Sequence, residues 1–467
     1  MKRLLLTVAG ALVAAAAAAE TPEARLAKAI TFETISHQDD ADFAPAPFEA
    51  MEAWLTATYP GVHATLGRER VGRASLLYHW PGRDASLAPI LLASHLDVVP
   101  VPDPGSWTHP PFDGVIADGF VWGRGAIDDK AGAMGILEAL ERLVAEGFTP
   151  ERGLWISFGH DEEVGGEHGA KAVAALLAER GVRAWFCLDE GMAIAAPGAT
   201  SFSAKPLALV GVAEKGYLTL RLTARGAGGH SSVPPPSTAI GRLSLAITRL
   251  EARPLEARTQ GVVADMMAAI APHTSGLQRL ALSWPRLFAP VIESQLVREP
   301  STNAMVRTTT AVTMIDGGVK ANVLPREANA RVNFRLLPGD TSEMVVAHVR
   351  EAIDDPEIEI TVETANEASP VADVNSEAFA RLSEVILEQA PDAVVAPALV
   401  VGGTDTRHYV RVADDGFRFL PIRFAVEDFE RIHGRDERIA IENYHFAIDF
   451  YEKLVRRTAG GATVARR

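Results

Sequence analysis

The sequence predicts an α/β fold, in which a mostly parallel sheet with helices on both faces is interrupted by a second, α+β unit. Apolar strand-like runs alternate with helical patterns in the first part of the chain, as expected for parallel strands joined by helical crossovers. Near residue 212 the pattern changes to alternating apolar and polar residues, which is typical of antiparallel strands. A chain of 467 residues is long enough for both units.

The elements of the first unit can be placed from their periodicity and their boundaries. The helix that begins near residue 128 carries Met134, Leu137, Leu140 and Leu143 at a spacing close to 3.6 residues. In order, the predicted elements are helical spacing at 22–59, strands at 71–80 and 90–93, a helix at 128–147, a strand at 154–158, a helix at 170–180 and a strand at 185–188.

The second unit interrupts the first, so that the chain divides into residues 20–211, an inserted domain at 212–366, and a return to the first domain at 367–467. A final amphipathic helix is predicted at 442–455. The predicted elements of the inserted unit are a strand at 217–223, a glycine-rich turn at 226–232, strands at 311–315 and 330–336, a helix at 342–353 and a strand at 357–363.

The amino terminus has the pattern of a secretory signal peptide. Lys2 and Arg3 precede the apolar run 4–18, and small residues at 17–19 fit a cleavage site. We therefore expect residues 1–19 to be removed and the protein to be exported, either to a periplasm or outside the cell. An uncleaved membrane anchor is the alternative, although the run is alanine-rich and short for a span.

Composition excludes two classes of protein. A formal net charge of -15 leaves no basic excess to neutralise nucleic-acid phosphates. The single cysteine, Cys187, excludes an internal disulfide, and its position in an apolar run indicates a buried residue.

Several apolar segments end in residues that can bind metals. They lead into His95, Asp128, Glu163 and Asp189, and His433 follows near the carboxyl terminus. The carboxyl ends of strands in an α/β sheet are where sites collect, and nitrogen and oxygen donors without thiolate suit zinc, cobalt or manganese. Five ligands exceed the need of one tetrahedral ion. If Asp128 bridges, two ions can share an activated water.

Two further acids accompany this set. Glu162 precedes Glu163, and adjacent side chains on an extended segment point in different directions, so one can bind metal while Glu162 acts as general base. Asp97 lies two residues after His95 and is placed to hold its imidazole. Taken singly, each acid could equally be a solvated loop carboxylate.

Three segments resemble the metal-binding motifs of the M20 metallopeptidases. The resemblance extends from about residue 22 to the carboxyl terminus and implies a di-zinc aminopeptidase-like catalytic domain with an inserted lid or dimerisation domain. The three segments are SHLDVVP at 94–100, GRGAIDDK at 123–130 and GHDEEVGG at 159–166.

The resemblance implies a ligand set for two zinc ions per subunit, with cobalt or manganese as substitutes. It places His95, Asp128 and Asp189 around one ion, and Asp128, Glu163 and His433 around the other. It also implies Glu162 as the proton acceptor, Asp97 as the residue that orients His95, and a cis peptide bond between Asp128 and Asp129.

Within the family, the chain looks most like the branch of carboxypeptidase S and the secreted N-acyl-amino-acid hydrolase/synthases. The segments GGTDTRHY at 402–409 and GGVKANVLP at 317–325 carry this likeness, together with a long insert at about 251–299. The apolar residues between Met266 and Val291 are interpreted as core, and the alternative is a wall for an acyl chain.

Six residues are candidates for binding the substrate. His230 resembles a family histidine that reaches the active site from the inserted domain, often across a dimer, although a turn histidine is usually only exposed. Asn322 and Arg335 can hold a substrate carboxylate, and Arg335 can equally be a surface charge. Thr404, Asp405 and Arg407 are expected to shape the wall of the pocket.

These observations predict an exported di-zinc carboxypeptidase or N-acyl-amino-acid amidohydrolase that cleaves an amide beside a free carboxylate. A homodimer through the inserted domain is expected, and the reverse, synthetic reaction remains open. The alternatives are another acyl-amino-acid deacylase of the aminoacylase type and a non-catalytic binding protein with the same fold.

Overall fold

The computed structural model describes residues 20–198 and 202–461. The predicted leader, residues 1–19, lies outside the described residues. Among the helices of the described ranges, none is both long enough and apolar enough to cross a bilayer.

The structure gives the bounds of each helix and strand in the described residues. The helices are α1 (Pro22–Ile30), α2 (Pro45–Thr58), α3 (Pro60–Thr65), α4 (Lys130–Ala145), α5 (Ala170–Glu179), α6 (Ala239–Glu251), α7 (Val262–Ile270), α8 (Gly276–Ser283), α9 (Pro285–Leu296), α10 (Pro300–Val306), α11 (Ser342–Ile353), α12 (Glu377–Gln389), α13 (Thr406–Tyr409) and α14 (Ile441–Ala459). The strands are β1 (Gly67–Val71), β2 (Ser75–Trp80), β3 (Ile90–His95), β4 (Val115–Ala117), β5 (Phe120–Trp122), β6 (Leu154–Gly159), β7 (Ala184–Asp189), β8 (Ile194–Ala195), β9 (Leu207–Glu214), β10 (Gly216–Arg225), β11 (Gly229–His230), β12 (Thr309–Gly317), β13 (Val323–Leu324), β14 (Glu327–Leu336), β15 (Ile358–Asn366), β16 (Val394–Val400), β17 (Ala413–Arg418), β18 (Arg423–Phe424) and β19 (Arg438–Ala440).

A ten-stranded sheet forms the larger part of the molecule, in the order β1-β2-β6-β3-β7-β17-β9-β8-β18, with β16 beside β9. Its centre, β6-β3-β7-β17, is parallel. Leu137 of α4 and Ile448 of α14 belong to the core on one face, and Val173 of α5 belongs to the core on the other. The predicted α/β fold with helices on both faces is therefore confirmed.

The central strands have no exposed face. Every residue of β3 and of β6 is buried, which explains why these segments read as continuous apolar runs rather than as alternating ones. Because the strands are parallel, β3, β6 and β7 present their carboxyl ends at the same edge of the sheet.

The single strand predicted at 71–80 is wrong in detail. The chain forms a hairpin there, in which β1 and β2 pair so that Val71 lies opposite Ser75. Gly72 takes a φ of 62°, a conformation that glycine adopts without a steric penalty and that allows the chain to reverse. The apolar pattern across residues 71–80 did not reveal this turn.

A separate four-stranded antiparallel sheet has the order β12-β14-β10-β15. Residues of β14 alternate between buried and less buried positions, and Leu243 of α6 and Val349 of α11 belong to the core on the covered face. The expectation of antiparallel strands in this part of the chain is confirmed.

The chain leaves the large sheet and returns to it at the end of β9. Only Lys215 separates β9 from β10. After β15, the Ser369 amide donates to the Glu214 carbonyl at 3.1 Å and the Ala372 amide donates to the Val212 carbonyl at 2.8 Å. The predicted boundary at residue 212 thus falls inside β9, and the division into domains stays a prediction.

The helices α7 to α10, which lie within the predicted insert 212–366, pack on the large sheet. Met266 and Ile270 of α7 share a core with Leu207 of β9 and with Val394 and Ala396 of β16. The interpretation of this segment as core therefore applies to one face of these helices, and the core they join is not the core of the small sheet.

Candidate metal centre

His95, Asp128 and Glu163 come together at the carboxyl edge of the large sheet. His95 is the last residue of β3, Asp128 lies just before α4, and Glu163 lies in the turn after β6. One ligand atom from each lies within 4.8 Å of the other two. Among the described residues, this is the group of histidines and acids that could hold a metal ion.

His433 completes a continuous set of contacts. Asp128 lies between the two imidazoles, with Oδ1 at 3.0 Å from His95 Nε2 and Oδ2 at 3.1 Å from His433 Nε2. His433 Nε2 also lies 2.9 Å from Glu163 Oε2. The structure thus brings four of the five predicted ligands into direct contact, although His433 is about 300 residues from the others in the chain.

Asp189, the fifth predicted ligand, ends β7, the strand next to β3. Its Oδ2 accepts a hydrogen bond from the Thr406 hydroxyl at 2.9 Å, and its Oδ1 accepts one from the Glu190 amide at 3.0 Å. It lies at the same edge of the sheet, but outside the group formed by His95, Asp128 and Glu163.

The donor set fits a metal ion. Two ligands at zinc distances and a tetrahedral angle would lie ~3.3 Å apart, which is close to the contacts of 2.9–3.1 Å between the His433, Asp128 and Glu163 atoms. Glu163 Oε1 is buried and has no hydrogen-bond partner. The hydrogen bonds that His433 donates to the Asp128 and Glu163 carboxylates raise its pKa to about 10. The carboxylates therefore favour positive charge at this place.

Asp97 supports the site in two ways. His95 Nδ1 lies 3.0 Å from the Asp97 backbone carbonyl and 3.4 Å from its carboxylate. The same carboxylate accepts hydrogen bonds from the amides of Glu162 and Glu163, both at 3.2 Å. The sequence suggested only the contact with His95. The second contact ties the strand end of His95 to the turn that carries the two glutamates.

Glu162 and Glu163 lie in a single turn of 3₁₀ helix, Glu162–Val164. Burial raises the pKa of the Glu162 carboxyl well above its usual range, and the neighbouring acids Asp405 and Glu163 act in the same direction. A carboxyl group whose proton affinity is increased in this way is suited to accept a proton and return it.

The segment that carries Asp128 has an unusual backbone. The peptide bond between Asp128 and Asp129 is cis, as the family resemblance implied. Asp129 is buried, and its carboxylate accepts a hydrogen bond from the Ser94 hydroxyl at 2.5 Å.

A buried ion pair that the sequence did not reveal joins this segment to the loop of His433. Arg124 Nη1 lies 2.5 Å from Glu437 Oε2, and the two side chains are 3% and 0% exposed. Glu437 Oε1 accepts hydrogen bonds from the amides of Ile127 at 2.8 Å and Asp128 at 3.1 Å. Arg124 Nη2 donates to the His433 carbonyl at 3.1 Å. We call this pair the Arg124–Glu437 clamp.

Thr404 lies in a second buried network. Its amide donates to Glu214 Oε2 at 2.9 Å, and Arg418 Nε donates to Glu214 Oε1 at 2.7 Å. The Thr406 amide donates to the Thr404 hydroxyl at 3.2 Å, and the Thr406 hydroxyl holds Asp189. Thr404 therefore contributes to a chain of hydrogen bonds from the end of β9 to a predicted ligand. Its predicted contact with substrate is not tested by these bonds.

Asp405 and Arg407 lie beside this network. Asp405 is buried, neither of its carboxylate oxygens has a hydrogen-bond partner, and burial raises its pKa well above the usual range. Arg407 Nε donates to His408 Nε2 at 3.3 Å. The predicted role of Asp405 and Arg407 in shaping a pocket remains a prediction.

The other predicted substrate residues lie in two places: Arg335 on β14 of the four-stranded sheet, and His230 and Asn322 in and beside the separate two-stranded sheet β11–β13. His230 is exposed, and its Nδ1 accepts a hydrogen bond from the Ser232 amide at 3.1 Å. Asn322 is exposed in the turn before β13. The Arg335 guanidinium lies 4.7 Å from the centre of the Tyr217 ring, and burial lowers its pKa.

A parallel α/β sheet that gathers imidazoles and carboxylates at its carboxyl edge defines a metal-dependent enzyme of the hydrolase class. The sequence matches peptidase family M20/M25/M40 over residues 91–457. The chain belongs to this family and is a metallopeptidase.

Relatives extend over most of the chain. It is 41% identical to carboxypeptidase S-like protein 2 of Dictyostelium discoideum, over 93% of this chain and 84% of that protein. It is 38% identical to the human N-fatty-acyl-amino acid synthase/hydrolase PM20D1, over 86% and 81%. It is 32% identical to carboxypeptidase S of Saccharomyces cerevisiae, over 89% and 80%.

Solved structures confirm the fold. An M20 family metallo-carboxypeptidase from Sulfolobus solfataricus, Sso-CP2, has a TM-score of 0.68 at 18% identity and covers 93% of this chain and 98% of its own. Human carnosine dipeptidase 1 has a TM-score of 0.62 at 14% identity, with coverage of 92% and 95%.

Proposed function

We propose that this chain is an exported di-zinc hydrolase that cleaves an amide bond beside a free carboxylate, as a carboxypeptidase or an N-acyl-amino-acid amidohydrolase. The observation that carries this proposal is the position of Asp128 between His95 and His433, with Glu163 in contact with His433. The relatives named for carboxypeptidase S and for N-fatty-acyl-amino acid hydrolysis support the substrate class.

The proposal assigns five ligands to two ions. His95, Asp128 and Asp189 would hold one, and Asp128, Glu163 and His433 would hold the other. When bound, such a metal pair lowers the pKa of water and polarises a carbonyl group. Cobalt or manganese can replace zinc in a site of nitrogen and oxygen donors.

Glu162 is the proposed proton carrier. Its carboxylate takes a proton from the attacking water and delivers it to the leaving nitrogen, which balances the hydrolysis without a further acid. Burial, which raises its pKa, supports this role. The hydrogen bonds of Asp97 to the amides of Glu162 and Glu163 keep both carboxylates in place.

Arg335 and Asn322 are the proposed partners of the substrate carboxylate. A guanidinium can pair with a carboxylate through two parallel hydrogen bonds. In the structure Arg335 contacts the Tyr217 ring, so its guanidinium is not committed to an internal carboxylate there. His230 is the proposed donor to the oxyanion that develops on the scissile carbonyl.

A homodimer through the small sheet is part of this proposal. The strand β12 is an edge strand of that sheet, and it exposes Met314 and Ile315. An exposed apolar edge strand is a place where another chain can pair. Because His230 is exposed on the same unit, it would serve the active site of the partner.

The proposed substrate is a dipeptide, a longer peptide carboxyl terminus or an N-acyl amino acid. The synthetic direction is possible because hydrolysis reverses when amine and acid are abundant. A panel of dipeptides and N-fatty-acyl amino acids, tested on zinc-loaded protein beside a chelated control, separates a peptidase from an acyl-amino-acid amidase. An aminoacylase-type enzyme would act on short acyl groups in the same panel.

The test of the mechanism is Glu162→Gln. We expect turnover to fall by about 10²–10⁴-fold, the usual contribution of a positioned acid–base group, while bound metal stays at the native content measured by elemental analysis. Glu167→Gln is the matched control, since Glu167 is exposed and pairs with Lys171, and it should retain native activity. Native turnover in Glu162→Gln would contradict the proposal.

A further inference from the structure

The helices α8 and α9, with the residue that joins them, expose five large apolar side chains, which we call the apolar stripe. Leu277 and Leu280 are three residues apart on α8, and Leu287 and Val291 are four apart on α9, spacings that place side chains on one face of each helix. Trp284 lies between the two helices. The five side chains are 47% to 84% exposed, whereas large apolar side chains on a protein surface usually occur singly. The stripe consists of Leu277, Leu280, Trp284, Leu287 and Val291.

The opposite face of the same helices is firmly packed. Leu282, Ile292 and Leu296 are buried in the core shared with β9 and β16. The helices are therefore seated on the large sheet, and the stripe is not exposed because the helices have moved away from their core. Each helix has one apolar face toward the large sheet and a second one toward solvent, and no described residue covers the second.

The charges beside the stripe are basic, although the whole chain carries -15. The exposed charged residues of α8 and α9 are Arg279 and Arg286. Their one acid, Glu293, is half-buried and accepts a hydrogen bond from the Thr259 amide at 2.7 Å. The stripe thus combines exposed leucine, tryptophan and arginine with an acid that faces the protein.

We propose that the stripe docks on an anionic lipid surface. A helix that lies in a lipid interface presents leucine and tryptophan to the acyl region and arginine to the headgroups, and basic residues near an anionic membrane gain electrostatic attraction. The exposed residues of α8 and α9 have this composition. Because the helices are fixed on the large sheet, docking would hold the catalytic sheet against the lipid.

This inference does not rest on which bond the enzyme cleaves. It depends only on the exposure of the stripe and the charge beside it, and its test therefore uses binding rather than turnover. If the proposed hydrolysis were not observed, the binding result would still stand. If the chain did not bind lipid, the proposed hydrolysis would still stand.

The experiment is co-sedimentation of the full chain with vesicles of mixed phosphatidylglycerol and phosphatidylcholine, and with vesicles of phosphatidylcholine alone. We expect binding to the anionic vesicles that weakens as salt is raised, since screening reduces attraction between exposed charges. Leu277→Ser/Leu287→Ser should weaken binding by at least about tenfold, because burial of one leucine already corresponds to such a factor. Arg279→Glu/Arg286→Glu should weaken binding to the anionic vesicles only.

Leu387→Ser is the matched control, because Leu387 is an exposed leucine on α12 of the same unit. It should bind vesicles as the native chain does. Thermal unfolding shows whether each variant is folded. The proposal is overturned if the folded native chain does not bind anionic vesicles, or if the leucine variant binds equally well. It is also overturned if sedimentation shows that the stripe is instead buried between two copies of the chain.

Discussion

At the scale of single residues, Asp128 is the residue that joins the two histidines of the site. Each of its two carboxylate oxygens faces one imidazole, at 3.0 Å and 3.1 Å. Hydrogen bonds from His433 and His95 outweigh burial, so the pKa of Asp128 is lowered. It therefore remains a carboxylate, the form that a metal ligand requires. Its backbone is held by Glu437, a residue that makes no metal contact in the proposed site.

The Arg124–Glu437 clamp gives the first residue-scale prediction. We expect Glu437→Gln to weaken metal binding by about 10–100-fold, as loss of a group that orients ligands commonly does. The reason is that Glu437 holds the Asp128 amide while its partner Arg124 holds the His433 carbonyl. Competition with a chelator under equilibrium conditions measures the affinity.

The control for this prediction is Glu138→Gln. Glu138 forms a similar ion pair with Arg25 at 2.5 Å and accepts a hydrogen bond from Tyr59, and neither of these partners is a proposed ligand. Both variants should lose some stability, but only Glu437→Gln should lose metal affinity. Equal metal affinity in the two variants would show that the clamp stabilises the fold without positioning the ligands.

The sequence predicted the candidate ligands and one residue that holds them, Asp97, but not the Arg124–Glu437 clamp. His95 and Asp189 could be found because each follows a buried apolar strand, and Glu163 because it follows another. Arg124 and Glu437 are 313 residues apart, and nothing in either local sequence shows that the two side chains meet.

At the scale of elements, Lys215 occupies the connection between the two sheets. Its ammonium group donates hydrogen bonds to the carbonyls of Ala304 at 2.9 Å and Arg307 at 2.8 Å. The lysine thus ties the junction of β9 and β10 to the end of α10. Burial, together with the nearby Arg335, lowers the pKa of Lys215 to about 7.

The second prediction follows from this pKa. Between pH 7 and about 10.5 the unfolded chain keeps a proton on Lys215 that the folded chain has released. The contribution of Lys215 to the free energy of unfolding is therefore complete above about pH 10.5. It is lost as the pH falls toward 7. The limiting slope is about 1.4 kcal/mol per pH unit. Lys215→Met should remove this dependence.

The measurement is the free energy of unfolding of the metal-free protein in urea at several pH values from 7 to 9. Relative to Lys215→Met, the native chain should gain on the order of 1 kcal/mol per pH unit. Lys28→Met replaces an exposed lysine and serves as the control. A constant difference between the native chain and Lys215→Met would contradict the prediction.

Elements with a clear period were predicted closely. The helix predicted at 342–353 is α11 with the same limits, and the predicted terminal helix is α14. The strand predicted at 71–80 is β2 extended across the turn, and β1 was missed because its residues Gly67–Val71 are mostly charged and exposed and form no apolar pattern. Tertiary pairing decides where such a chain reverses.

At the scale of the whole molecule, the exposed His230 raises the question of how it could serve catalysis. It lies on β11 of the two-stranded sheet β11–β13, in the same part of the chain as the four-stranded sheet, whose edge strand β12 exposes Met314 and Ile315. A two-fold pairing through this edge would offer each His230 to the other subunit.

The third prediction tests this arrangement by complementation. His230→Ala and Glu162→Gln chains should each be inactive, and mixing them after subunit exchange should restore about a quarter of native activity, because a statistical mixture leaves some sites intact. Mixing His230→Ala with itself is the control. Confirmed exchange without recovery would exclude a site shared between subunits.

The sequence by itself determined the fold class, the family and the candidate ligands of the site, because strand periodicity and the residues after each strand are local properties. Only the tertiary structure decided the distances within the ligand set, the Arg124–Glu437 clamp, and the two separate apolar faces of α8 and α9. These features depend on packing between segments that are distant in the chain. No local pattern in a single sequence shows how such segments pack.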